Sequence, residues 1–184
     1  MDFGSWPRDV SRRRFLGLGL AAMATVYGRR ARALPSQGER RLGFHNLHTG
    51  ETFDGPYWVD GAYVPEQLAD IRRVLRDFRT GQQHDIDRNL LDLLVGLRGR
   101  LDTAERLQVI SGYRSPKTNA MLHEETRGVA THSYHIKGMA IDIRIPGRRL
   151  AALRDTARAM ARGGVGFYPA SDFVHVDVGP VRHW

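Results

Sequence analysis

The chain contains no cysteine. No disulfide framework is available to it, and no thiolate can serve as nucleophile or metal ligand. Any metal it holds must be held by His, Asp or Glu, so the eight histidines become the residues to sort. Long apolar runs are also missing. The N-terminal stretch Phe15 to Tyr27 stops at 13 residues, short of the ~20 that span a bilayer as a helix. There is no internal repeat. No basic stretch with interleaved aromatics stands out either, so nucleic-acid binding is not expected.

What is present is ordinary in bulk. The 184 residues suit one domain with a proper core, and 41% hydrophobic and 26% charged residues are typical of globular chains. The net charge of +8 is unevenly placed. Arg8, Arg12, Arg13, Arg14, Arg29, Arg30 and Arg32 precede residue 34 against only Asp2 and Asp9, so the remainder carries +3. That small excess suits an anionic polymer such as cell wall. Ser11-Arg12-Arg13-Arg14-Phe15-Leu16 resembles the twin-arginine export consensus, and Ala31-Arg32-Ala33 is a small-x-small cleavage pattern. Residues 1–33 therefore read as a twin-arginine export signal that meets the membrane only transiently. An uncleaved N-terminal anchor is the alternative. The expected location is the periplasm, with a polar linker over 34–41 and a folded domain over 42–184.

Within that domain, Leu42 to Phe53 reads as a hairpin around His48-Thr49-Gly50. Pro65 opens a helix whose apolar residues run from Leu68 to Phe78 at helical spacing. Asp87 caps a second helix. Leu107 to Ser111 reads as a strand, and Ser115-Pro116 starts a third helix. Met139 to Ile145 is a strand, Arg148 to Arg162 a helix, and Val165 to Tyr168 and Phe173 to Val178 are strands. The layout is α+β, a small and mostly antiparallel sheet with flanking helices.

Two strands alternate in a telling way. In Ala140 to Ile145 the isoleucines point one way, and Asp142 and Arg144 the other. In Phe173 to Val178 the valines point one way, and His175 and Asp177 the other. If the strands are neighbours, Asp142 and His175 share a face, and His135 stands in the loop just before. Two imidazoles and a carboxylate suit a hydrolytic zinc site with one position left for water. The same set also suits Fe(II) in a non-haem oxygenase, though the chain lacks the tight H-x-D pair and the jelly-roll strands of such enzymes.

Ser133-Tyr134-His135-Ile136-Lys137-Gly138-Met139-Ala140-Ile141-Asp142 resembles the S-x-H-x-x-G-x-A-x-D signature of the zinc D-Ala-D-Ala peptidase superfamily, which includes the VanX-type dipeptidases. Ser111-Gly112-Tyr113-Arg114-Ser115 is similar to its upstream S-G-Y-R-S segment. The stretches Asn46 to Glu51, Gly163 to Pro169, Phe173 to Asp177 and Arg182-His183-Trp184 resemble the MepK-like branch of peptidoglycan L,D-endopeptidases. The resemblance implies a hedgehog/D-Ala-D-Ala-peptidase-like fold. It implies Zn2+ as cofactor on His135, Asp142 and His175, with Ser133 orienting a ligand or capping a turn. Arg114 takes the family's arginine position, gripping a substrate carbonyl oxygen or carboxylate, or else forming a structural ion pair.

The general base is open. VanX-type relatives place a glutamate three residues before the last ligand histidine, and here that position is Asp172. His132 is a second candidate. Asp177 is expected to orient a neighbour or pair with Arg144. Trp58, Tyr113, Tyr134 and Trp184 either line a groove or pack ordinarily. The implied partners are peptidoglycan stem peptides. The implied reaction is hydrolysis of crosslinks, L,D between two diaminopimelate residues. A D,D-carboxypeptidase or endopeptidase and a non-catalytic zinc- or wall-binding module are the alternatives. Oligomeric state is not legible.

Overall fold

The computed structural model describes residues 38–125 and 130–184. The export signal expected over 1–33, and the start of the linker, lie outside the described residues. In chain order the elements are β1 (Glu39–Asn46), β2 (Thr52–Val59), β3 (Ala62–Tyr63), α1 (Pro65–Val74), α2 (Arg88–Arg100), β4 (Leu107–Ser111) and α3 (Pro116–Glu125). They are followed by β5 (Ala140–Arg144), α4 (Leu150–Met160), β6 (Gly164–Tyr168), β7 (Phe173–Asp177) and β8 (Arg182–His183). All eight strands join one sheet in the order β3-β2-β1-β4-β5-β7-β6-β8.

The class is α+β, as the patterning predicts. The sheet itself is mixed. β1 and β4 run parallel, as do β6 and β8, while the other pairings are antiparallel. The parallel β1–β4 pair follows from its connection: α1 and α2 both lie between them in sequence, long enough for a crossover.

One face of the sheet makes the core. Leu42, Phe44, Leu107, Val109, Ile141, Ile143, Val174 and Val176 recur at every second position and are fully buried. Cross-strand register puts them side by side: Phe44 beside Leu107, Val109 beside Ile143, and Ile141 beside Val176. The leucines of α2 and Leu153 and Ala157 of α4 close over them. The expected caps are present. Asp87 Oδ1 accepts from the Asn89 amide at 2.8 Å, and Ser115 Oγ accepts from the Thr118 amide at 3.2 Å.

Two boundaries differ from expectation. β1 begins at Glu39, inside the stretch read as linker, because Glu39 and Arg40 pair with Val59 and Trp58 of β2. Arg40 also donates to Asp92 of α2 at 2.7 Å. The first helix ends at Val74 rather than near Phe78. There the Asp77 carboxylate accepts from the amides of Arg79 and Ser115 at 2.9 Å each, and the chain turns. Among the described residues, no helix is long and apolar enough to cross a membrane.

Candidate metal centre

With one face of β5 and β7 committed to the core, period two leaves Asp142, His175 and Asp177 on the other. Asp142 and His175 are direct cross-strand partners. His135 reaches them from a short 3-10 turn, Tyr134–Lys137. Ser133 caps that turn, its hydroxyl accepting from the His135 amide at 3.3 Å. Gly138 ends it at φ +64, where a Cβ would also strike the Asp85 carbonyl.

The three side chains converge. His135 Nε2 lies 3.2 Å from His175 Nδ1, and Asp142 Oδ1 is 2.9 Å from His175 Nδ1 and 3.3 Å from His135 Nε2. All three residues are buried. The outward nitrogens are already spoken for. His135 Nδ1 donates to the Gly112 carbonyl at 2.7 Å, and His175 Nε2 donates to Asp177 Oδ2 at 2.9 Å. Each ring therefore carries its proton on the far side and turns a lone pair inward. Two lone pairs facing each other beside a carboxylate oxygen repel unless a cation sits between them. Ligands at 2.0–2.1 Å in a tetrahedron stand about 3.3–3.4 Å apart; the contacts of His135 Nε2, at 3.2 and 3.3 Å, are near that, and the Asp142–His175 contact at 2.9 Å is shorter. The residues present thus fit Zn2+, and the His175–Asp177 contact is the carboxylate–histidine arrangement that orients metal ligands.

The electrostatics agree. Burial alone would raise the Asp142 carboxyl, but the facing His135 and His175 rings outweigh it and hold it well below the usual carboxylate range. Burial lowers His135. It works the same way on His175, yet hydrogen bonds to Asp142 and Asp177 push that ring up to about 9.

A cavity of about 850 Å³ opens over the three residues, lined among others by Arg114, His132, Ser133, Tyr168, Phe173 and Trp184. Arg114 Nη2 stands 3.6 Å from Asp142 Oδ2 and donates to Ser111 Oγ at 3.3 Å. Its Nε is buried without a hydrogen-bond partner.

Comparison with known proteins follows the same line. The model of the family described as Peptidoglycan L,D-endopeptidase MepK matches residues 34–184. The chain belongs to this family. It is 44% identical over 178 residues to Peptidoglycan L,D-endopeptidase MepK of Escherichia coli (strain K12), covering 96% of this chain and 98% of that protein. It is 40% identical over 179 residues to the Probable peptidoglycan L,D-endopeptidase MepK of Haemophilus influenzae, covering 96% of each. As a member of the MepK family the chain is identified as an enzyme, a peptidase.

Not every expected residue meets this cluster in the same way. His132 is exposed on the cavity wall. Ser133 acts on the backbone of His135 rather than on its ring. Asp172 stands apart. Its neighbours Ser171 and Phe173 line the cavity, but its own carboxylate, 62% exposed, accepts from Arg144 Nη1 at 2.6 Å. Asp177 does not pair with Arg144. It is fully buried, holding His175 on one side and Arg182 Nη2 at 2.7 Å on the other. Sequence reasoning missed Arg182 and the Gly112 carbonyl. The signals on offer were the place of Gly112 inside the S-G-Y-R-S stretch and of Arg182 in the closing Arg182-His183-Trp184. Tyr113 packs on His84, with ring centroids 4.9 Å apart, and Trp58 carries Arg40 at 4.5 Å. Tyr134 and Trp184 line the cavity.

Proposed function

We propose that this chain is a zinc-dependent murein endopeptidase that hydrolyses peptide crosslinks of peptidoglycan, of the L,D type between two diaminopimelate residues. It acts in the periplasm, reached by the twin-arginine route. The observation that carries the metal is the pair of inward ring nitrogens 3.2 Å apart whose protons are engaged elsewhere. The names of the relatives support the bond type.

His135, Asp142 and His175 would hold the zinc, which when bound would supply Lewis acidity and lower the pKa of a water. The protein's own residues do the rest. Gly112 and Asp177 fix both rings in the tautomer that offers an inward lone pair. Arg114 steadies the carbonyl oxygen as it gains charge, or grips a substrate carboxylate, through its terminal guanidinium nitrogens. Ser133 holds the turn that presents His135. Two groups are offered for proton transfer. His132 already lines the cavity, whereas Asp172 does not and has one carboxylate oxygen held by Arg144. Near-wild-type turnover of a zinc-bound Asp172→Asn protein would remove Asp172 from that role.

The Arg144–Asp172 ion pair favours one competing reading, a wall-binding module that keeps the metal without turnover. One experiment separates the possibilities. The zinc-loaded full chain and a His175→Ala control are incubated with purified muropeptide dimers of both crosslink types, and products are read by mass spectrometry. Loss of the diaminopimelate–diaminopimelate dimer, only with the intact site, is expected. Loss of dimers joined through D-Ala would keep the peptidase and change the bond. Cleavage of neither, at full zinc stoichiometry, would leave the binding module.

A further inference from the structure

Trp184 is 48% exposed and Val181 55%, and they are the exposed large hydrophobic residues among those described. An exposed indole is ordinarily mobile, but here the backbone is held by two hydrogen bonds and the ring by two contacts of its own. Its backbone carbonyl accepts from the Phe167 amide at 3.1 Å, and its amide donates to the Val165 carbonyl at 3.3 Å. Its Nε1 donates to Tyr168 Oη at 2.6 Å. The Arg182 guanidinium lies 5.0 Å over the ring. Beneath it is Gly166, the cross-strand partner of His175. A Cβ there would stand 2.7–2.8 Å from the indole. The missing side chain lets the tryptophan lie beside a metal-ligand ring, with the His175 and Trp184 centroids 5.3 Å apart.

A pre-positioned aromatic face with one side wet is what a binding site presents, because little ordering entropy remains to be lost on contact. The face continues into Tyr168 and Phe173, stacked at 4.6 Å between centroids, and all three line the metal cavity. We propose that Trp184, held by Tyr168 over Gly166, is a specificity-determining wall that receives the aliphatic side-chain stem of the residue next to the scissile bond. This rests on the peptidase reading above. A peptide stem is favoured over a sugar ring by distance: a wall one ring away from the metal ligands meets atoms within about a residue of the bond being cut. A diamino-acid side chain, methylenes ending in polar groups, matches an apolar wall flanked by Arg114 and Arg182.

The test has a binding arm and a kinetic arm. Zinc-loaded wild-type and W184F full-length proteins are titrated with a sugar-free stem tetrapeptide containing diaminopimelate, and tryptophan emission is followed. Trp6 and Trp58 are common to both proteins and cancel in the difference. A saturable emission change in wild type that is lost in W184F is expected. In the kinetic arm, W184A is expected to raise KM for crosslinked dimer roughly tenfold, the scale of one aromatic contact. Its kcat and zinc affinity should stay within about threefold, and W184F should recover most of the loss. Gly166→Ala, which displaces the indole without removing it, should raise KM in the same direction. An unchanged KM in zinc-bound W184A overturns the wall. So does an emission change with the peptide-free oligosaccharide and none with the tetrapeptide. If wild type cleaves neither crosslink, the peptidase reading fails, and the emission arm still decides whether Trp184 meets the peptide.

Discussion

On the inner face of β5 and β7, Ile141, Ile143, Val174 and Val176 are fully buried against other hydrocarbon. On the outer face of the same two strands Asp142, His175 and Asp177 are almost as hidden, at 6%, 8% and 0% exposure, yet each carries charge or a polar ring. The inner face loses stability in proportion to what is removed, because dispersion and hydrophobic transfer are sums of small contacts. The outer face works as a unit. Its polar atoms depend on one another, His175 on Asp177 and Asp177 on Arg182, and removing one leaves another buried and unsatisfied. One backbone pairing thus supports two kinds of energetics, graded on one side and cooperative on the other.

The contrast is broken most forcefully at Asp142. Asp142→Ala removes the carboxylate of the proposed metal centre and is expected to lower turnover by more than ~10³-fold, with loss of zinc binding. Metal analysis alongside muropeptide digestion checks it. A variant that still turned over near the wild-type rate would mean the three residues do not form the centre. Asp177→Asn is the finer cut. It keeps the shape but weakens the acceptor for His175 Nε2, and zinc affinity is expected to fall 10–100-fold, the usual scale for a partner behind the ligands. Competition against a chromophoric chelator measures it. Ile143→Ala tests the other face. It should cost about 2–5 kcal/mol of unfolding free energy, while kcat/KM of the folded protein stays within a few-fold. If it also released zinc, the two faces would be mechanically coupled and the contrast would have to be abandoned.

The same contrast explains what could be read without coordinates. Alternation put Asp142 with His175 and the isoleucines with the valines, since a period of two allows no other arrangement once one face is buried. The ten-residue signature added His135, which alternation could not supply because it stands in a 3-10 turn. The register of Asp142 against His175 needed the sheet, as did the parallel pairing of β1 with β4, since strand neighbours far apart in sequence leave no local mark. Charged loop residues were the least legible. Spacing located Asp172 three residues before His175, but not that it closes a turn at φ +53 and meets Arg144. Glu39 and Arg40 read as linker because their composition is polar, whereas what makes them strand is a partner on β2.

The smallest expected effect lies at Asp77, where a buried carboxylate holds the scaffold behind Arg114. Burial by itself would raise its pKa. Hydrogen bonds from the Ser115 and Thr118 side chains and from the Ser115 and Arg79 amides outweigh that and bring it down to about 2, against an ordinary 3.8. The folded value lies below the unfolded one, so the stabilisation is complete above about pH 4 and is lost as pH falls toward 2. Asp77→Asn keeps one acceptor oxygen and removes the charge. It should cost roughly 1–3 kcal/mol near neutral pH, and the cost relative to wild type should shrink through that acid window. Urea midpoints of both proteins at half-unit steps from pH 5 to 2 measure it, and the difference cancels the acid response of Asp142 and Asp177. Because Ser115 follows Arg114 directly, the same variant is expected to lower kcat/KM only a few-fold at neutral pH. A difference that stayed flat through the acid window would show that the charge on Asp77 contributes nothing to holding α3 against the turn after α1.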